Sequence, residues 1–207
     1  MNRSIERLFA EHPQIAPLRD RVFAAAELLE RCVRSGGKIL IAGNGGSAAD
    51  ADHISGELLK GFLLPRRLNA ADLARYSAAI GEEAKALQYG IPAIPLPALS
   101  AAMTAYLNDE DPAAVYAQLV FALGAPGDLL IAISTSGNSQ NILSAAKVAH
   151  EKGMTVLALT GRDGGALAGC ADVALIAPAQ QTYRIQEYHL PIYHALCAEL
   201  EERLFGE

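Results

Sequence analysis

Four stretches of this 207-residue sequence bring together residue types that do chemistry, at spacings where they could act as groups. Two are loop-like: Gly43-Asn44-Gly45-Gly46-Ser47, and Ser134-Thr135-Ser136-Gly137-Asn138-Ser139. Small residues let a backbone approach a ligand closely, and hydroxyls with N–H groups at a helix start supply donors for an anion, so both suit a phosphate. Turn and cap chemistry explains Ser, Asn and Gly in the first loop equally well. Three successive hydroxyls followed by Ser139, directly after an apolar run, favour phosphate in the second. In the third stretch, His53 and Glu57 stand four apart and share one face of a helix. That spacing suits a metal pair, a base with its orienting partner, or a plain surface hydrogen bond. The fourth is the segment from Tyr183 to Cys197, which holds His189 and His194, two of the five histidines. Taken singly, each reads as a packing histidine.

These residues need elements to hold them. Apolar positions Leu18, Val22, Leu29 and Val33 recur at helical spacing, and Gly36-Gly37 ends that segment. Short apolar runs bounded by turn residues read as buried strands at 38–42, 128–133, 154–159 and 173–176. Alanine-rich helical segments separate them, such as Asn141 to Glu151. This alternation predicts a parallel sheet covered by helices on both faces, an α/β three-layer sandwich. Residues 93–96 make a fifth strand, and prolines at 92, 95 and 97 put it at the sheet edge. The flavodoxin-like order 2-1-3-4-5 places it there. In such sheets ligands bind beyond the carboxyl ends of the strands, where the two loops fall. A further helix is expected from Ala70 to Leu87, and the last segment continues as an amphipathic helix to Leu204.

Composition narrows the partners. With 23 Asp+Glu against 17 Lys+Arg, the formal charge is −6. An acidic chain with scattered Lys and Arg offers no broad footprint for nucleic acid or an anionic membrane. No apolar run approaches the ~20 residues that span a bilayer. The start, MNRSIERLFAEHPQ, lacks an apolar signal-peptide core. Cys32, Cys170 and Cys197, odd in number and far apart, read as reduced thiols of a cytoplasmic protein. The first loop also fits G-x-G-x-x-A over Gly43 to Ala48, the dinucleotide pattern, but the ribose-binding acid expected about 20 residues on is not evident. No nucleotide cofactor is therefore expected.

Taken in order along the chain, Gly43-Asn44-Gly45-Gly46-Ser47, His53-x-x-x-Glu57, Asn108-Asp109, the 134–139 loop, Thr160-Gly161-x-Asp163-Gly164-Gly165 and Arg184-Ile185-Gln186-Glu187 through His194 resemble the phosphoheptose isomerases of the SIS (sugar isomerase) group. The resemblance covers nearly the whole chain, although Ser-Thr-Ser-Gly-x-Ser alone marks only the wider SIS group. It implies a single SIS domain over 1–207, with N-terminal helices over about 2–35. It also implies a homotetramer with active sites at subunit interfaces, and the interconversion of sedoheptulose 7-phosphate and D-glycero-D-manno-heptose 7-phosphate. By motif, Ser134, Thr135, Ser136 and Ser139 would hold the phosphate. Asn44, Gly45, Gly46, Ser47, Asn108, Asp109 and Gln186 would line the sugar site. Glu57 and His194 would carry the proton transfers. Zinc, where the family binds it, would fall on His53, Glu57, Gln186 and His194.

Aldose–ketose isomerisation moves a proton between adjacent carbons through an enediol, and needs a base at carbon and an acid at oxygen. A carboxylate and an imidazole fill those roles near neutral pH; zinc as a Lewis acid would compete for the same side chains. Gln186 and His194 lie eight residues apart, about 12 Å and 80° on a continuous helix. Either Pro191 bends the segment or subunits share the site, and a composite site is the expectation. The chain departs from the family pattern between Glu57 and Asn108, where an insertion around 62–90 adds about 20 residues. It could cap the sugar site with Arg66 or Arg67 on an anionic substrate, widen a subunit interface, or be a surface loop with solvated arginines. Other readings are a non-catalytic SIS adaptor for a replication initiator, a sugar-phosphate sensor, or an isomerase of another phosphosugar.

Overall fold

The computed structural model describes residues 3–206, so Met1, Asn2 and Glu207 lie outside it. Five parallel strands pair in the order β2-β1-β3-β4-β5: β1 (Ile39–Gly43), β2 (Ala93–Pro95), β3 (Leu129–Ile133), β4 (Thr155–Gly161) and β5 (Val173–Ala177). β1 lies between β2 and β3 in register, with Ile39 opposite both Ala93 and Leu129. The order and the proline-rich edge strand are those the sequence predicts. Pro95 cannot donate to a ladder, and only three residues of β2 pair.

Strand residues alternate between two cores, as a pleat requires. Ile39, Ile41, Leu129, Ile131, Leu157 and Leu175 point to one face. There they meet α1 (Arg3–Glu11), α2 (Arg19–Arg34), α3 (Gly46–Leu59) and α9 (Thr182–Phe205). Leu40, Ala42, Leu130, Ala132, Val156 and Ala158 point to the other, against α6 (Val115–Leu123), α7 (Gln140–Glu151) and α8 (Gly165–Gly169). Asp128 ties the first two long strands together: its carboxylate accepts from the Lys38 and Ala125 backbone N–H groups and pairs with the Lys38 ammonium.

Two expectations need correction. The helix read from Ala70 to Leu87 stops sooner: α4 is Ala70–Ile80, and a short 3-10 helix follows over Gly81–Ala86. Gly81 ends it with φ +69°, where a residue with a Cβ is strained and glycine is not. The other concerns Arg66. It is not a solvated or substrate-facing arginine but lies 1% exposed beneath the loop that carries it. α5 (Ser100–Asp109) and α4 contain no buried residue; α5 rests Met103 and Tyr106 half-buried on the second core. Among the described residues no helix is long and apolar enough to cross a membrane.

Candidate active site

β1 ends at Gly43 and turns into α3 through Asn44 and Gly45. Gly45, the N-cap residue of α3, takes φ +56°, a backbone that favours glycine in this turn. α3 then presents Asp50, His53 and Glu57 at i, i+3 and i+7, on one face. α9 packs against α3. At its start, the Gln186 amide nitrogen lies 2.4 Å from where a Cβ on Gly46 would sit, so a larger residue there would push the Gln186 amide aside. Two turns further, His194 meets His53.

There the geometry concentrates. His53 Nε2 lies 3.2 Å from His194 Nε2 and 3.3 Å from Glu57 Oε1. The two imidazoles cross edge to face with centroids 4.8 Å apart. His53 Nδ1 is 3.0 Å from the Tyr193 hydroxyl, which donates to Asp50 Oδ1 at 3.3 Å. Since that hydroxyl gives its proton to Asp50, it accepts from His53 Nδ1–H, which leaves Nε2 of a neutral His53 as an acceptor facing His194. Burial lowers the His194 pKa and the neighbouring His53 lowers it further, against the opposing pull of Glu57. Its neutral N–H form therefore persists to lower pH than in a free imidazole. Burial likewise raises the Asp50 carboxyl, and its second oxygen has no partner in the structure. His194 also lines a cavity of about 270 Å³ between α1 and α9, together with Arg7, His12 and Phe62.

The second loop leaves β3 and enters α7. Ser139 holds the N-cap position, but its hydroxyl accepts from Ser134 at 3.0 Å and makes no cap bond to the helix. Thr135 and Ser136 lie in the turn just before this helix start, whose first N–H groups favour an anion, and the Ser136 hydroxyl accepts from Asn138 N–H at 3.2 Å. Asn138 fixes the loop from beside, accepting from Ala166 N–H and donating to the Ser136 carbonyl. Asn44 and Asn141 exchange amide hydrogen bonds, linking the two loops.

The structure thus joins His53, Glu57 and His194 at one place, and Gln186 with Gly46 at another, seven residues and roughly 10 Å away along α3. Asn108 and Asp109 sit exposed at the end of α5, bonded to each other. Ser47 is buried in the first turn of α3. His189 is fully buried, its Nε2 donating to the Thr160 carbonyl at 3.0 Å, which makes it the packing histidine that a lone helical His usually is. Sequence reasoning missed Tyr193 and Asp50. The i, i+3, i+7 run of Asp50, His53 and Glu57 was the available signal for the second; for Tyr193 only its adjacency to His194 pointed there.

Comparison with known proteins identifies the family and the fold. The SIS domain family model matches residues 77–161. The phosphoheptose isomerase of Shewanella frigidimarina is 41% identical over 193 residues, 92% of this chain and 87% of that protein. Among solved structures, the phosphoheptose isomerase of Neisseria gonorrhoeae superposes with a TM-score of 0.75 at 39% identity, covering 96% of this chain and 93% of its own. That of Francisella tularensis gives 0.77 at 33%, covering 96% of both.

Proposed function

The chain belongs to the phosphoheptose isomerase family of SIS-domain enzymes, and from that premise we propose that it interconverts D-sedoheptulose 7-phosphate and D-glycero-D-manno-heptose 7-phosphate. The observation that carries the reading is the meeting of Glu57 and His194 at His53, whose Nε2 lies 3.3 and 3.2 Å from them, with His194 lining a cavity. A carboxylate and a neutral imidazole side by side are the pair that enediol chemistry requires.

In the ketose-to-aldose direction, the Glu57 carboxylate takes a proton from C1. The C1–H electron pair forms the C1=C2 bond while the C2 carbonyl oxygen receives a proton from His194 Nε2–H, giving the enediol. Return of the carbon-bound proton to C2 and loss of the O1 proton to the imidazole complete the aldose. In the absence of substrate His53 accepts from this same His194 N–H and is itself held by Tyr193 and Asp50, which sets the tautomer of the pair. Ser134, Thr135, Ser136 and Ser139 would hold the 7-phosphate by hydroxyls and helix N–H groups. Asn44, Gly45, Gly46, Ser47, Asn108, Asp109 and Gln186 would line the sugar.

The zinc that the resemblance allows would use His53, Glu57, Gln186 and His194. The donor types suit it. Of the four, His53, Glu57 and His194 stand together, yet among the described residues they do not make a ready metal site, and Gln186 lies two turns away against Gly46. No step here runs through a metal.

We further read the protein as a cytoplasmic homotetramer with sites shared between subunits. Support comes from the separation of Gln186 from His194, and from α4, none of whose residues is buried and whose Tyr76 and Ile80 are exposed. The insertion then widens an interface between copies.

The test is direct: follow aldose phosphate formation from sedoheptulose 7-phosphate, with and without added zinc. Glu57→Gln and His194→Gln are each expected to lower kcat by about 10²–10⁴-fold, the usual worth of general acid–base groups. Absence of wild-type turnover under every metal condition would refute the reaction, and turnover surviving both substitutions would refute the roles.

A further inference from the structure

Beneath the insertion loop, Arg66 and Glu201 form an ion pair whose two side chains are both 0% exposed. Burying two charges is costly unless the geometry is good and further hydrogen bonds satisfy the remaining polar atoms, and here both carboxylate oxygens and all three guanidinium nitrogens have a partner. Glu201 Oε1 accepts from Arg66 Nε at 2.7 Å and from Phe62 N–H at 2.8 Å; Oε2 accepts from Leu63 and Leu64 N–H at 2.7 and 2.9 Å. Burial opposes the charge on Glu201, but these donors outweigh it and hold the carboxyl below its ordinary range.

Where the remaining guanidinium N–H groups go is more telling. One donates to the Leu58 carbonyl at 2.6 Å and one to the Glu57 carbonyl at 3.3 Å. Those are carbonyls of the last turn of α3, which lack helical partners and carry the negative end of its dipole. Arg66 therefore caps the helix at the very residue whose carboxylate faces His53. At the other end, Glu201 stands seven residues after His194, two turns along the same face of α9. The loop it grips brings the Phe62 ring to within 5.7 Å of the His194 ring. Phe205 closes the arrangement, its ring 5.0 Å from the Arg66 guanidinium carbon.

We propose that Arg66 and Glu201 are positioning residues, a buried clamp that sets Glu57 on α3 against His194 on α9. The proposal rests on the reading that these two side chains transfer the protons. It gives the insertion loop a task that solvated arginines would not have.

A purely structural pair and a positioning pair part company in one variant. Arg66→Met/Glu201→Leu replaces the ion pair by apolar groups of similar size, but it also strands the Phe62, Leu63 and Leu64 N–H groups and the Glu57 and Leu58 carbonyls, so its Tm falls. If the pair positions the site, this variant, assayed well below its Tm where it is folded, loses about tenfold to a hundredfold in kcat, with KM within about twofold; a purely structural pair lowers Tm alone. Glu201→Gln, which keeps the shape but offers one acceptor oxygen where two are used, should lose kcat in the same range and Tm as well. A crystal structure of either variant should show the 3.2 and 3.3 Å spacings from His53 Nε2 to His194 and Glu57 lengthened. Wild-type kcat in a folded double variant, or unchanged spacings in either, would overturn the proposal. If wild-type protein turns over no heptose phosphate, the assigned reaction fails, and the spacings alone then decide whether the clamp positions these groups.

Discussion

Single side chains decide the proton chemistry, and Tyr193 is the one whose removal is most informative. Its hydroxyl bridges His53 Nδ1 and Asp50 Oδ1. Tyr193→Phe keeps the ring, which is 2% exposed and packed in the core, and deletes only the bridge. His53 then loses the acceptor that fixes its tautomer. The expected result is a kcat lower by about tenfold with KM little changed, measured by steady-state kinetics at neutral pH. His189 makes a contrasting prediction. Burial lowers its pKa, and the hydrogen bond to the Thr160 carbonyl only partly opposes that. With the folded pKa below the unfolded value near 6.5, the unfolded chain takes up the proton first as pH falls. Stability is thus unaffected by His189 above about 6.5, and is lost as pH drops from there toward the folded pKa, at up to about 1.4 kcal/mol per pH unit. His189→Asn should flatten the pH dependence of Tm over that acidic window while leaving the pH profile of kcat alone.

Elements inherit their positions from contacts that vary in how far apart they lie in sequence, and this explains what could be read in advance. The strands were legible because each is a short apolar run between turn residues, and a parallel sheet buries both faces of such runs. The phosphate loop was legible for the same reason: its hydroxyls are contiguous. The end of α4 was misjudged because alanine-rich residues continue past Gly81 with no proline to stop them, and the glycine alone had to carry the signal. Arg66 was misjudged because its partner is 135 residues away, and no spacing rule reaches so far. Asp128 makes a second contact of this kind, 90 positions from Lys38. Its carboxylate, 4% exposed, joins the starts of β1 and β3. Asp128→Ala should cost about 2–3 kcal/mol, because it strands backbone donors at a buried charged acceptor. That corresponds to a fall of roughly 5–10 °C in Tm by thermal unfolding. KM should not change, since the carboxyl lies at the opposite ends of the strands from both ligand loops.

At the scale of the whole molecule the question is whether one chain contains a complete site. Gln186 lies against Gly46, while Glu57 meets His53 and His194 roughly 10 Å further along α3. A continuous helix carries both Gln186 and His194, with Pro191 inside it, so the two stay apart within one subunit. In a closed symmetric assembly the gap can be filled by a neighbour's copy of the same face. Sedimentation should then give about four times the 21.8 kDa chain mass, and Ile80→Glu, placing a charge on the exposed face of α4, should shift the distribution to smaller species. Complementation tests the sharing itself. Glu57→Gln and Gln186→Ala chains, each inactive alone, are co-expressed with different tags and the hybrid isolated through both. If one subunit supplies Gln186 and another supplies Glu57, random assembly leaves about a quarter of the sites with both native residues, and that fraction of wild-type activity returns. If each site is built from a single chain, every site in the hybrid carries one defect and no activity returns.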